Sequence, residues 1–377
     1  MDAAEQAVVE ARRRGSDRAA VLNLEAFELE RQAAERAVNE AAPEPTRSVL
    51  LRSAATLAHR CGEFREAERL VATALSGSPP QEIANELREL LDEINFSRHL
   101  SLRGLALQPD EVQLSIAGAG IGRGLAPTDE LLRRLSAFQK LVHRTAERRA
   151  GMGYRETAAP PKQIKEDFQV FVSVPRAASF AVSIRIGRSK DQMELDPTPA
   201  KVLIDDVLDR LREFDEGHDD RLREAIKDDA YYMNFVALAK ELAPSGTGVR
   251  MVGLTALRDS QERRVNLTRD RASLPLAGRV IAGNGQSIRP ARVTGVLRFA
   301  DELKPESARI KVRADGGAEY VVHVPQGMMS DIVRPLWGET VTIQGRWKGK
   351  SIELDDIQRA DLDTLESHDD SPVDLQA

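Results

Sequence analysis

The spacing at which apolar residues recur changes along the chain, and that change constrains the fold more than any single motif. From about Val21 to Leu100, Ala and Leu return at i, i+3 and i+4, which places an apolar stripe on each of several helices. Proline-rich punctuation at "AAPEPTRS" and "SGSPP" separates those helices. From about Ser101 to Asp270, runs of period two are mixed with helical runs. Beyond Leu276 period two dominates. The expectation is a multidomain chain: an all-α N-terminal domain over 1–97, an antiparallel α+β domain over 98–270, a small all-β barrel over 276–360 and an acidic, disordered tail over 361–377.

Composition narrows the surroundings. The 377 residues suffice for two or three domains, and with 41% apolar but only 4% aromatic residues the cores must rest on Ala, Leu, Val and Ile. The single cysteine, Cys61, excludes an internal disulfide and fits a reducing compartment. The N-terminus lacks the apolar core of a signal peptide, and no window reaches the length of a membrane span. A cytoplasmic location without a membrane partner is therefore expected. Arginine outnumbers lysine, which first occurs at Lys140, a bias that fits a GC-rich bacterial genome.

Within the helical region, "SVLLRSAATLAHRCGEFREAERLVATALSGSP", Ser48–Pro79, carries Gly62 at a turn, Phe64 after it, small Ala67 and Ala74, and a closing Pro79. In these residues and spacings the segment resembles one tetratricopeptide repeat. It departs from the family at Leu51, where a large aromatic is usual, and at Ala58, where a bulky residue is usual. Gly62 can take the left-handed conformation that ends a helix, and Ala55 and Ala67 permit close helix approach. A lone hairpin cannot bury both faces, so packing against Val21–Asn39 and a following helix from Pro80 to Ile94 is expected. The resemblance implies a surface for a protein or peptide partner, with Leu51, Ala55 and Phe64 as contact residues.

In the central region the strands come as hairpins: "GLALQPDEVQLSIAG" turning at Pro109, Asp110 and Glu111, "FQVFVSVPRAASFAVSIRIG", and "VRMVGLTALRDSQERRVNLT". Helices are expected at Thr128–Arg149, Ala200–Phe214 and Tyr231–Leu242. The glycine-rich "SIAGAGIGRGLAPTDELLRRL" poses the question of a phosphate cradle. Gly118, Gly120, Gly122 and Gly124 alternate without the offsets of a dinucleotide fingerprint, no Lys-Ser or Lys-Thr pair follows, and Asp129 and Glu130 would repel a phosphate. A structural strand exit into a helix capped by Thr128 is expected instead.

His218, Asp219 and Asp220, with His143 upstream, lack the further ligands of a metal-dependent phosphohydrolase, and the segment reads as a solvated helix start. Glu302 and Lys304 lie in a proline-containing turn, and His59 with Cys61 lacks an orienting carboxylate or amide. No catalytic residue, metal ligand or cofactor is assigned.

The C-terminal region has five strand-like runs with a helical run, "QGMMSDIVRPLW", between the third and fourth, and a hairpin turn at Asp315, Gly316 and Gly317. This order resembles the OB-fold, with an SH3-like barrel as the competing assignment. Ile310, Val312, Val322, Val324, Val341, Ile343, Ile352 and Leu354 are expected inside, leaving Arg309, Lys311, Arg313, Arg346 and Lys348 as an outer basic stripe. Single-stranded nucleic acid is the ligand such a stripe would take, with Tyr320, Trp337 and Trp347 as stacking candidates. Trp337 at the end of the helical run and Trp347 in the inward phase read more simply as core plugs.

These features favour a non-enzymatic adaptor or regulatory subunit that binds a protein through its helical repeat. A nucleic-acid-binding regulator using the barrel is the alternative, and an enzyme with its site in the central domain comes third.

Overall fold

The structure, a computed structural model, describes residues 16–100, 107–118, 121, 125–157, 159–173, 180–188, 198–244, 248–258, 261–268, 289–301, 308–314 and 316–360. The chain forms two compact units, 1–103 and 104–377. The fold is mixed α and β, with helices, one antiparallel five-stranded sheet and a second five-stranded sheet of mixed direction closed into a barrel.

The first unit contains α1 (Ser16–Asn39), α2 (Thr46–Arg60), α3 (Phe64–Leu75) and α4 (Gln81–Leu100). Gly62 has φ +80°, and the Gly62 and Glu63 amides donate to the His59 and Ala58 carbonyls at 3.0 and 2.9 Å, closing α2 with a left-handed cap. The chain then turns directly into α3, whose Ala67, Leu70, Val71 and Ala74 recur at i, i+3, i+4 and i+7 and are buried. They meet Ala54, Ala55 and Ala58 of α2 and Leu87, Leu90 and Ile94 of α4 in one core. Small side chains on both α2 and α3 let the two backbones come close.

The second unit begins with β1 (Glu111–Ala117), α5 (Thr128–Arg149), α6 (Lys162–Asp167), β2 (Gln169–Val172) and β3 (Phe180–Gly187). It continues with α7 (Thr198–Asp215), α8 (Asp219–Ala225), α9 (Asp229–Leu242), β4 (Met251–Arg258) and β5 (Gln261–Leu267). The sheet order is β2-β3-β1-β4-β5, every pair antiparallel. The antiparallel expectation therefore holds, and two of the three expected hairpins are present, as β2–β3 and β4–β5. Of the first arm of the hairpin expected around Pro109, residues 104–106 lie outside the described residues and Leu107 and Gln108 form no strand; β1 pairs instead with β3 and β4.

Leu114 sits opposite Val182 and Leu254 in one row, and Val112 opposite Ile184 and Ala256 in the next. These rows join Phe138 and Leu141 of α5, Ile204, Leu208 and Leu211 of α7, and Val236 and Leu242 of α9 in one apolar cluster. The other phase of the sheet is polar yet buried, with Gln113, Ser115, Ser183 and Thr255. Thr128 does not cap α5. The helix starts at Thr128 itself, with Pro127 in the cap position and no side-chain hydrogen bond. Asp228 does cap α9, its carboxylate accepting from the Tyr231 amide at 3.0 Å.

The barrel is β6 (Pro290–Asp301), β7 (Arg309–Arg313), β8 (Glu319–His323), β9 (Thr340–Lys348) and β10 (Ser351–Arg359), closed in the order β10-β8-β7-β6-β9. β8 and β10 pair in parallel, and the remaining pairs are antiparallel. All eight residues expected inside the barrel are buried. The helical run between β8 and β9 is a π-turn, Met329–Val333, continued by a 3-10 turn, Arg334–Leu336. The expected Asp315 turn has Gly317 at φ +80°, with its amide on the Ala314 carbonyl at 2.8 Å, while Asp315 itself lies outside the described residues. The tail, 361–377, also lies outside them.

Candidate functional site

The seam between the helices of the second unit and the barrel's π-turn is built from buried charge. Arg144 of α5 donates from Nε to Asp331 Oδ2 at 2.7 Å, from Nη2 to Ser330 Oγ at 3.2 Å and from Nη1 to the Arg155 carbonyl at 2.9 Å. Its guanidinium lies 4.3 Å from the centre of the Tyr154 ring. Burial disfavours this cation, but Tyr154, Asp331 and Glu147 hold its pKa above the ordinary value. Asn234 of α9 donates to Asp331 Oδ2 at 3.0 Å and to the Gly327 carbonyl at 2.8 Å, and Tyr154 donates to that same carbonyl at 3.0 Å. Burial raises the Tyr154 pKa, which keeps the phenol protonated as the donor.

Gly327, at φ +95°, lies so close to α9 that a Cβ would run into the Ala230 carbonyl oxygen. A groove of about 570 Å3 opens beside this seam, with Ala137, Leu238, Ile332 and Leu336 as its apolar wall. Lys140 lines it, donating from Nζ to the Asp331 carbonyl at 2.7 Å, and burial lowers its pKa. Arg144, Asn234, Tyr154 and Lys140 hold helix to barrel, while at the groove Glu130 pairs with Arg133 and Arg134 of its own helix and Arg359 with Glu339 of the barrel.

The basic stripe is divided. Arg309, Lys311 and Arg313 face outward on β7, between buried Ile310 and Val312, whereas Arg346 and Lys348 lie on β9. Going round the closed barrel, β6 alone stands between β7 and β9 on one side and β8 with β10 on the other, where Glu353 of β10 sits opposite both Arg346 and His323. Arg346 donates to both oxygens of Asp355 at 3.1 and 2.8 Å, Lys348 pairs with Glu353 at 2.9 Å, and Arg313 pairs with Glu319 at 2.8 Å. Lys311 stands 5.5 Å from the centre of the exposed Phe299 ring. Neither tryptophan is a core plug: Trp337 is 56% and Trp347 38% exposed. Trp347 has the inward phase but stands near the end of β9, where it meets the Tyr320 ring edge-on at 6.1 Å.

In the helical unit, Leu51 and Ala55 are 1% and 0% exposed, inside the bundle, and Phe64 is half-buried beside His59 at 5.8 Å between ring centres. His59 shares a hydrogen bond of 2.9 Å with Ser97, and burial, with Arg60 adding, lowers its pKa. The most exposed large apolar groups of the unit lie on α1, where Val21, Leu24 and Leu29 are 65%, 51% and 56% exposed, with Val49 of α2 at 37%. Phe27, Ala34 and Ala37 of the same helix point into the unit. Sequence reading pooled these two faces into one helical signal, although helical phase separates them.

Between α1 and the start of α3 lies a groove of about 430 Å3, walled by Leu24 and Phe27 and rimmed by Glu28, Glu35, Glu63 and Glu66. Its two arginines are engaged by its own carboxylates: Arg31 with Glu28 at 2.8 Å and Glu35 at 2.7 Å, Arg69 with Glu66 at 2.5 Å. The Arg69 hydrogen bonds hold the Glu66 carboxyl below the usual range.

Among the described residues, no group of three or more His, Cys, Asp and Glu has the arrangement to hold a metal. His143 instead donates to the Phe168 carbonyl at 3.2 Å, and His218 lies 3.1 Å from Glu216. Gly118 lies so close to the Gly248 carbonyl that a Cβ would not fit, while Gly120, Gly122 and Gly124 lie outside the described residues. No described helix is long and apolar enough to cross a membrane. Comparison with protein families, with curated proteins and with solved structures finds no match.

Proposed function

We propose that the protein is a non-enzymatic adaptor or regulatory subunit of a cytoplasmic bacterial complex, binding a protein partner through its helical unit. The observation that carries this reading is a contrast in what the charges do. Arg346, Lys348 and Arg313 on the barrel and Arg144 and Lys140 at the seam are turned to internal partners, while α1 keeps three large apolar side chains in solvent. The hairpin α2–α3, ended at Gly62 and packed through alanines, is read as one repeat of tetratricopeptide type that needs its flanking helices to complete a core. The sheet and barrel are the body it is attached to.

The test is isolation of the tagged full chain from its native host under nuclease treatment, then reconstitution with the purified co-isolated protein. A stoichiometric complex that forms without nucleic acid supports the adaptor. A preparation that retains nucleic acid alone would sink it.

A second reading, single-stranded nucleic-acid binding by the barrel, has its own support. The closed order β6-β7-β8-β10-β9, the parallel β8–β10 pair and the helical turn between β8 and β9 favour the OB-type barrel over the SH3-like one. Exposed Phe299 beside Lys311 could stack a base next to a cation. Anisotropy titration with labelled oligothymidylate separates the readings. Binding that weakens with salt and disappears on joint Arg309→Glu, Lys311→Glu and Arg313→Glu would promote the barrel, and no binding at low salt would remove it.

A further inference from the structure

We infer that the outer face of α1, with the groove between α1 and α3, is the docking surface, and that its occupant is a basic amphipathic helix of the partner protein. The inference rests on the adaptor reading and specifies its surface and the partner's chemistry. Val21 and Leu29 stand on the side of α1 away from Phe27, Ala34 and Ala37, and Leu24 lies at the border beside Phe27; none of the three belongs to the unit's own core. Leu24 also lines the groove, so the exposed side of α1 and the groove share this apolar residue.

Charge selects the occupant. Four carboxylates, Glu28, Glu35, Glu63 and Glu66, share the groove with two arginines, Arg31 and Arg69, which leaves it net negative. Both arginines are held by those carboxylates, so an anionic segment meets repulsion and finds no free guanidinium. Glu25 adds a further exposed carboxylate to the same side of α1. A helix with an apolar stripe flanked by Lys and Arg satisfies both features, laying its stripe along Leu24 and its cations along the rim.

The probe is a photo-crosslinking benzoylphenylalanine placed at Leu24 of the full chain in the native host, with a second at Arg292 on the barrel as a control. The expected product joins position 24 to a partner segment of net positive charge with apolar residues at helical spacing. Its yield should fall about tenfold or more when Glu28→Lys and Glu66→Lys are combined, because like charges then face each other. Leu29→Lys, at an exposed position outside the core, should lower it as well without disturbing that core.

Crosslinking to an acidic or uncharged segment, to a second copy of this chain or to its own residues 1–15 would overturn the inference. So would a yield indifferent to the charge reversals. Capture of a partner at Arg292 but not at Leu24 would overturn this surface and leave the adaptor reading standing, whereas no partner complex by any route would overturn both.

Discussion

In the helical unit, α2 and α3 meet through Ala54, Ala55, Ala58, Ala67 and Ala74, side chains without a polar atom, whereas at the seam α5 and α9 meet the barrel's π-turn through Arg144, Asn234 and Asp331. Both contacts are buried, but they fail in different ways. An alanine interface is indifferent to electrostatics and intolerant of volume, because close backbones leave no room. A charged seam tolerates changes of shape that keep the pairing complete, and loses most when one member goes, because the survivor is stranded away from water.

The largest expected effect is therefore at the seam. Arg144→Met should cost about 3–5 kcal/mol, since the Asp331 carboxylate would lose its ion-pair partner and keep Asn234 as hydrogen-bond donor, with Lys140, bound to the Asp331 carbonyl, as the nearby cation. Urea unfolding measures this as a lower midpoint. Combining Arg144→Met with Asp331→Leu should recover much of the loss, because a well-packed apolar pair replaces a buried ion pair at little cost. A small loss in the single variant, under about 1 kcal/mol, would mean that water reaches the seam and would erase the contrast.

Ala67→Phe comes next, at about 1–3 kcal/mol from overpacking in the helical unit. Thermal melting followed by far-UV circular dichroism checks it. An unchanged melting curve would show that α2 and α3 are not tightly crossed at that point.

Two glycines sharpen the comparison on a smaller scale. Gly62→Ala should cost about 1–2 kcal/mol, for the left-handed backbone alone, since nothing stands within 4 Å of the position its Cβ would take. Gly327→Ala should cost more, because its Cβ also meets the Ala230 carbonyl. Equal losses in urea unfolding would mean that α9 can draw back from the barrel.

The smallest effect is pH dependence, which the two units share. Burial pushes His59 down, with Arg60 adding, and it pushes His143 down too, with Arg155 and Lys165 adding against the pull of the Phe168 carbonyl and Asp331. Folding makes each imidazole harder to protonate, so as pH falls through about 6.5 the unfolded chain binds more protons than the folded one and stability drops. Above that range the contribution is flat. His143→Gln should reduce the slope of urea midpoint against pH between about 7.5 and 5.5, and an unchanged slope would assign it to other groups.

The local elements were legible because their signal lies within a few residues. Gly62 marks a turn by its lack of Cβ, and the alternation of Ile310 and Val312 with Arg309, Lys311 and Arg313 places a strand with its inside and outside. Pairs of hairpins likewise implied antiparallel pairing. The basic stripe was legible as residues and not as a site, since its two groups stand on strands that do not pair with each other and Arg313, Arg346 and Lys348 are each taken up by a carboxylate. Trp347 was misplaced because phase along a strand says nothing about where the barrel ends, and Trp337 because the end of a helical turn does not tell whether anything covers it.

By itself, then, the sequence determined periodicity: which stretches are helices, which are strands, and which face of each is apolar, all properties of a window a few residues wide. Only the tertiary structure decided the pairing of charges and the fate of faces. Arg144 meets Asp331 across 187 positions, and no local pattern distinguishes it from Arg148, which goes to Asp206. Arg346 turns to Asp355 because β9 and β10 form a hairpin with a bulge beside that residue. The two apolar sides of α1 differ only in what packs against them. An ion pair or an uncovered face exists only when distant segments are brought within a few ångströms, and the energy that brings them there belongs to the whole core.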